Sequence, residues 1–167
     1  MKTLEEQLTQ YARYHRSKRN IQTHFIGIPL IVFAVICLCA RLQVGLGSVT
    51  LNGAVVVTAL SVLYYLRLSV ALGMLMALIL SVMIWAAVPI AELSWVGWIA
   101  ISLGLFVMGW VIQFIGHYFE GKKPAFADDL IGLVIGPLFI LAEGLFLLGY
   151  YTELEQHIVQ HAGPVKP

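Results

Sequence analysis

The chain has 167 residues, of which 60% are hydrophobic and only 11% charged, and a formal net charge of +1. That balance excludes an ordinary soluble domain, and no basic patch with interleaved aromatics exists to serve nucleic acid, so no nucleic-acid partner is expected. It predicts an all-α integral membrane protein, a compact bundle of about five transmembrane helices with an N-terminal interfacial helix.

Residues 1–22 carry Leu4, Leu8, Tyr11, Ala12 and His15 at helical spacing. This predicts an amphipathic segment on the membrane surface that breaks near Ser17–Asn20. Five apolar runs follow within 23–151, at about Thr23–Leu42, Val49–Leu66, Val70–Ala91, Trp95–Ile115 and Leu130–Tyr151. Each approaches the ~20 residues that a membrane helix needs. Cys37 and Cys39 lie two apart on the first run and read as small buried hydrophobes rather than a disulfide. Arg67–Ser69 is short enough to make the second and third runs a tight hairpin, and Gly104 and Gly109 in the fourth suit close packing, including a homodimer. Residues 152–167 form a tail.

Basic residues are distributed unevenly. Lys2, Arg13, Arg16, Lys18, Arg19, Arg67, Lys122 and Lys123 fall on one side of an alternating five-span chain, and Arg41 is the only basic residue at the loops of the other. The excess assigns that first side to the cytoplasm. Five spans would leave the tail, with His157 and His161, on the far side as a solvated helix.

Polar groups gather where the fourth run ends, in QFIGHYFEGKKPAFADD (113–129). Gln113, His117 and Glu120 share one helical face by their i,i+4 and i,i+3 spacing. Of the five histidines, His15, His24 and His117 are all expected at the cytoplasmic leaflet, the first two joined through a bend. Three imidazoles, or two with Glu120, suit a single non-haem iron(II) with open positions, and would hold zinc as well. Gln113 and Asn20 would then orient the ligands. Other readings stay open at this point, namely interfacial histidines in a small transporter or lipid-binding scaffold, or a zinc hydrolase with Glu120 as base. Glu143 lies about 20 Å along a straight helix from Leu130. Either it is a hydrogen-bonded packing residue or a bend at Pro137 returns it to the site.

Two blocks carry a resemblance. YHRSKRNIQTHFIGIP, with His15, Asn20, His24, Gly27 and Pro29, and QFIGHYFEGKKPAFADDL followed by GPLFILAEGLFLLGY resemble the N- and C-terminal signatures of one family. It is the family named for metabolism of phytosphingosine to odd-numbered fatty acids. The resemblance implies a membrane Fe(II)-dependent dioxygenase that uses O2 to shorten a 2-hydroxy fatty acid by one carbon, an α-oxidation. By matched position it implies His15, His24 and His117 as metal ligands and Glu120 as ligand or base. The positive charge of Lys122, Lys123 or Arg19 would attract a substrate carboxylate at the membrane surface. The short loops suggest a prokaryotic member of that family, in a bacterial inner (plasma) membrane.

Overall fold

The computed structural model describes residues 2–46, 49–125 and 129–167. Gly47 and Ser48 of the expected outer loop, and Phe126–Asp128 of the 113–129 stretch, lie outside the described residues. Among the described residues the fold is helical apart from one strand hairpin. Its elements are α1 (Leu4–Ala12), α2 (Lys18–Cys39), β1 (Gln43–Leu46), β2 (Val49–Asn52), α3 (Gly53–Leu68), α4 (Val70–Ala91), α5 (Trp95–Glu120), α6 (Gly132–Leu147) and α7 (Thr152–Ala162).

Three of these, α2, α4 and α5, are long and apolar enough to cross a bilayer. The α6–α7 pair makes a fourth only if its 115° bend is counted within one span, so the structure has fewer full-length spans than the five expected. Exposed Trp85, Leu78, Val96 and Val107 stud α4 and α5, an outward apolar surface that water would not tolerate and lipid would. The chain is a multi-pass membrane protein. The second apolar run falls short because its first residues, Val49–Asn52, pair with Gln43–Leu46 as an antiparallel hairpin. Asn52 then starts α3 by accepting the Ala54 N–H at 2.8 Å.

The contacts divide the chain into two compact units. In Pro29–Gly109, α3 and α4 form the expected hairpin with Ser69 alone between them, its hydroxyl accepting the Leu72 N–H. Trp98 Nε1 donates to the Cys37 carbonyl at 2.8 Å, filling one of the carbonyls that the end of α2 leaves open. Arg41 does the same at the end of α4. It donates to the carbonyls of Ala91 and Leu93 while its guanidinium lies over the Trp95 and Trp98 rings.

The other unit, Met1–Ile28 with Trp110–Pro167, is built on α1. Thr3 and Glu6 form a reciprocal cap at its start. Its buried Leu8, Tyr11 and Ala12 meet α6, which buries Ile135, Leu138 and Phe139, and α7, which buries Leu154 and Ile158. After α1 the chain turns through Arg13–Ser17 and re-enters a helix at Lys18, earlier than the sequence pattern places the first span. The tail is not on the far side. Gly149 and Tyr151, both at positive φ, reverse the chain after α6. The tail then returns to the N-terminal segment, where Lys18 N–H donates to the Lys166 carbonyl at 2.8 Å and Lys166 N–H to the Arg16 carbonyl at 2.7 Å.

Arg16 ties this unit together. It is 4% exposed and donates through Nε to the Ala12 and His15 carbonyls, through Nη1 to Gly163, and through Nη2 to Glu143 at 3.3 Å. Glu143 therefore has a charged partner. The return comes from the N-terminal loop meeting α6, since α6 continues through Pro137 without a break. Because removing one member of a buried pair strands the other, Arg16→Ala is expected to destabilise the protein by about 3–5 kcal/mol. Glu143→Gln, which keeps an acceptor, should cost less, and thermal melting in detergent orders the two.

Helices α2 and α5 approach closely at Gly116. A Cβ there would collide with Thr23 Oγ1 and stand 2.6 Å from Asn20 Oδ1. Neither atom yields easily, since Thr23 is β-branched and bonded to the Asn20 carbonyl at 2.7 Å. Gly116→Ala is expected to cost about 1–3 kcal/mol in the same melting assay.

Candidate metal centre

Three elements deliver three imidazoles. His15 stands on the turn after α1, His24 two turns into α2, and His117 in the last turn of α5. All three are buried, at 0%, 1% and 6% exposure. Their candidate ligand atoms lie within 4.8 Å of one another, with ring centroids 4.5–5.0 Å apart.

The hydrogen bonds decide which nitrogens are available. His15 Nδ1 lies 2.7 Å from the Tyr11 carbonyl and His24 Nδ1 lies 2.8 Å from the Asn20 carbonyl. A carbonyl only accepts, so each Nδ1 carries the proton and each neutral ring is left with a bare lone pair on Nε2. Those two Nε2 atoms face each other at 3.0 Å. His117 adds a buried Nδ1 that has no hydrogen-bond partner among the described residues. Burial first, and then the neighbouring His24, hold His15 well below the ordinary histidine range, so its ring stays neutral.

Two facing lone pairs repel unless a cation sits between them. The two nitrogens are close enough for one metal ion to be held by both. The backbone carbonyls behind the rings are the outer partners that metal-bound histidines ordinarily have. Three neutral imidazoles accommodate iron or zinc equally well.

The walls are aromatic. Tyr11 stacks on His15 with centroids 4.1 Å apart and planes within 6°, and Phe139 of α6 packs against both rings. Of these contributors, Tyr11 announces itself only by its four-residue spacing from His15. Arg16 gives no local signal, because its partner Glu143 is 127 residues away.

Glu120 is close by but otherwise occupied. One oxygen accepts the Arg16 N–H at 3.0 Å, and the other accepts the Ser17 N–H at 2.7 Å and the Asn20 amide at 3.0 Å. It thereby caps the start of α2, a place where unpaired N–H groups favour a carboxylate. Asn20, fully buried, also donates to the Tyr14 carbonyl and so stitches the His15 turn to α2. Gln113 is 4% exposed, one turn below His117 on the same face, and its Nε2 has no partner among the described residues. Arg19 lies over the Phe119 ring, and Lys122 donates to the Arg13 carbonyl. His157 and His161 stack on each other on α7 and are not among the clustered histidines.

Comparison with known proteins agrees with this geometry. A family model described as 2-hydroxy-palmitic acid dioxygenase Mpo1-like matches residues 1–148. The 2-hydroxy-palmitic acid dioxygenase MPO1 of Saccharomyces cerevisiae is 34% identical over 155 residues, covering 91% of this chain and 85% of the yeast protein. No solved structure matches. The match spans α1 through α6, and with it every clustered histidine, so the chain belongs to the 2-hydroxy-palmitic acid dioxygenase Mpo1-like family.

Proposed function

We propose that the chain is an Fe(II)-dependent dioxygenase that shortens 2-hydroxy fatty acids by one carbon. Family membership supports the substrate class. The carrying observation is the 3.0 Å approach of the His15 and His24 Nε2 atoms, each with its Nδ1 committed to a backbone carbonyl. The reaction balances as R–CH(OH)–COOH + O2 → R–COOH + CO2 + H2O. The C1–C2 bond breaks, C2 is oxidised from alcohol to acid, C1 leaves as CO2, and O2 is the oxidant.

His15, His24 and His117 would hold the metal, and iron(II) bound there supplies the redox chemistry that O2 needs to react with a closed-shell acid. The protein's own groups do the rest. Tyr11 and Phe139 keep water from the His15 side. Gln113 offers an unpaired buried amide N–H to an oxygen of the substrate head, one turn below His117. Apolar helices accommodate the acyl chain. Glu120 and Asn20 position the histidine turn rather than bind metal. That arrangement weighs against a zinc hydrolase, because a carboxylate already holding three donors is a poor general base. The basic N-terminal segment supports a cytoplasmic-side site in a bacterial plasma membrane. Gly104, exposed with open space around it, supports close approach of a second copy.

The test is anaerobic purification, metal analysis, and incubation of the iron-loaded protein with 2-hydroxypalmitate and O2. The expected products are the acid one carbon shorter and one CO2 per turnover. His24→Ala should lower metal affinity and turnover by more than ~100-fold, since even outer partners of metal ligands contribute 10–100-fold. Product that forms equally without iron, or a protein active only with zinc, overturns the proposal.

A further inference from the structure

His15 and His24 belong to different segments, so the meeting of their rings depends on the turn, residues 13–17, that joins α1 to α2. Glu120 holds one flank of that turn through the N–H groups of Arg16 and Ser17. The other flank is held by residues 163–167, after α7. We infer that this segment is a positioning strap for the metal centre: it fixes the backbone path out of His15 and so sets how that imidazole meets those of His24 and His117.

The strap works through its backbone. The Lys166 carbonyl accepts the Lys18 N–H at 2.8 Å and the Lys166 N–H donates to the Arg16 carbonyl at 2.7 Å, which sets Lys166 beside Ser17 in parallel register. The Gly163 carbonyl accepts from Arg16 Nη1 at 3.1 Å. All three bonds therefore fall on Arg16 and Lys18, immediately after His15. The Lys18 N–H is also one of those that the start of a helix leaves without an intrahelical acceptor. Glu120 and the strap thus cap α2 between them.

The local sequence prepares the segment for this work. Gly163, at φ 88°, takes the chain out of α7 through a conformation that a side chain would strain. Pro164 and Pro167 lock their own φ and hold the residues before them, Gly163 and Lys166, out of helical conformations. A segment stiffened in this way has less freedom to lose on docking. Helix α7 already meets α1 through buried Leu154 and Ile158, whereas Pro164, Val165, Lys166 and Pro167 are all exposed. The strap adds nothing to the core. What it holds is the turn that presents His15, while His24 and His117 meet independently, where α2 and α5 approach at Gly116.

This inference rests on the three histidines binding one metal ion, and not on the reaction that follows. Cobalt(II) titration of the purified protein in detergent tests it, because the visible absorption of cobalt reports both affinity and the number of ligands. Wild type is compared with Lys166→Ala, which keeps both backbone bonds, with Lys166→Pro, which removes the N–H donor, and with a chain ending at Ala162. Each is titrated at a temperature where its melting curve shows it folded. Lys166→Ala should bind cobalt as wild type does. Lys166→Pro and the shortened chain should bind about 10-fold more weakly or worse, the loss expected of groups that orient metal ligands from behind. Amide hydrogen exchange in residues 16–18 should quicken in both. With His15→Ala in place, the same two changes should leave the remaining affinity unaltered, since the strap acts through His15. Unchanged affinity in both, an equal loss with Lys166→Ala, or the same loss without His15 overturns the inference while leaving the metal centre standing. Wild type that binds no cobalt overturns the metal centre itself, and the strap with it.

Discussion

The unit that carries the histidines depends on how two of their rings are held. His15 and His24 are each locked in one tautomer by a carbonyl behind the ring, and the locked rings point their lone pairs at each other. Neither ring can turn away cheaply. His15 is sandwiched by Tyr11 and Phe139, and rotating His24 would leave the Asn20 carbonyl without its donor. Three such rings form a site in which folding and metal binding would be coupled. The hold on these rings has to come from elsewhere in the unit.

It comes from two long-range polar clamps. Glu120, at the end of α5, reaches the N–H groups of Arg16 and Ser17 and fixes the turn that presents His15. Arg16 binds the same turn to α6 through Glu143 and to the tail through Gly163. Each clamp pairs a charge with the open end of a helix or with an opposite charge in a place largely closed to water. Loss of one partner therefore costs far more there than at an exposed surface. The tail lies beyond the residues the family model matches, yet it pairs directly with the turn that carries His15.

These dependencies explain what was legible in the sequence. Helical character was legible because apolar runs of about 20 residues have few alternatives in a membrane. The three histidines were legible as a group through the two signature blocks, and Asn20, Gln113 and Glu120 through their spacing from them. The work of Glu120 was not legible, since a His-x-x-Glu spacing is equally compatible with a ligand and with a cap for a helix 100 residues away. Arg16 reads locally as one more positive charge beside a membrane, and Glu143 as a lone acid in an apolar run. Only the fold makes them a pair. The Val49–Asn52 strand was missed because β-branched residues suit a strand as well as a membrane helix, and the Asn52 cap that separates them acts over two residues.

The meeting of His24 with His117 also constrains how the chain crosses the membrane. His24 lies near the start of α2 and His117 near the end of α5, so the path from one to the other must cross an even number of times. The full-length helices α2, α4 and α5 give three crossings. The apolar helix left for a fourth is α3, whose 16 residues extend only about 24 Å against a hydrocarbon core of about 30 Å. Such a helix crosses where the bilayer thins or its flanks reach toward the interface. Its flanks are suited to this, with Tyr64, Tyr65 and Arg67 at one end and the polar cap of Asn52 at the other. The bent α6–α7 pair follows His117 and is a separate matter, in which the tail's bonds to Arg16 and Lys18 bring the chain's end back beside the turn that carries His15.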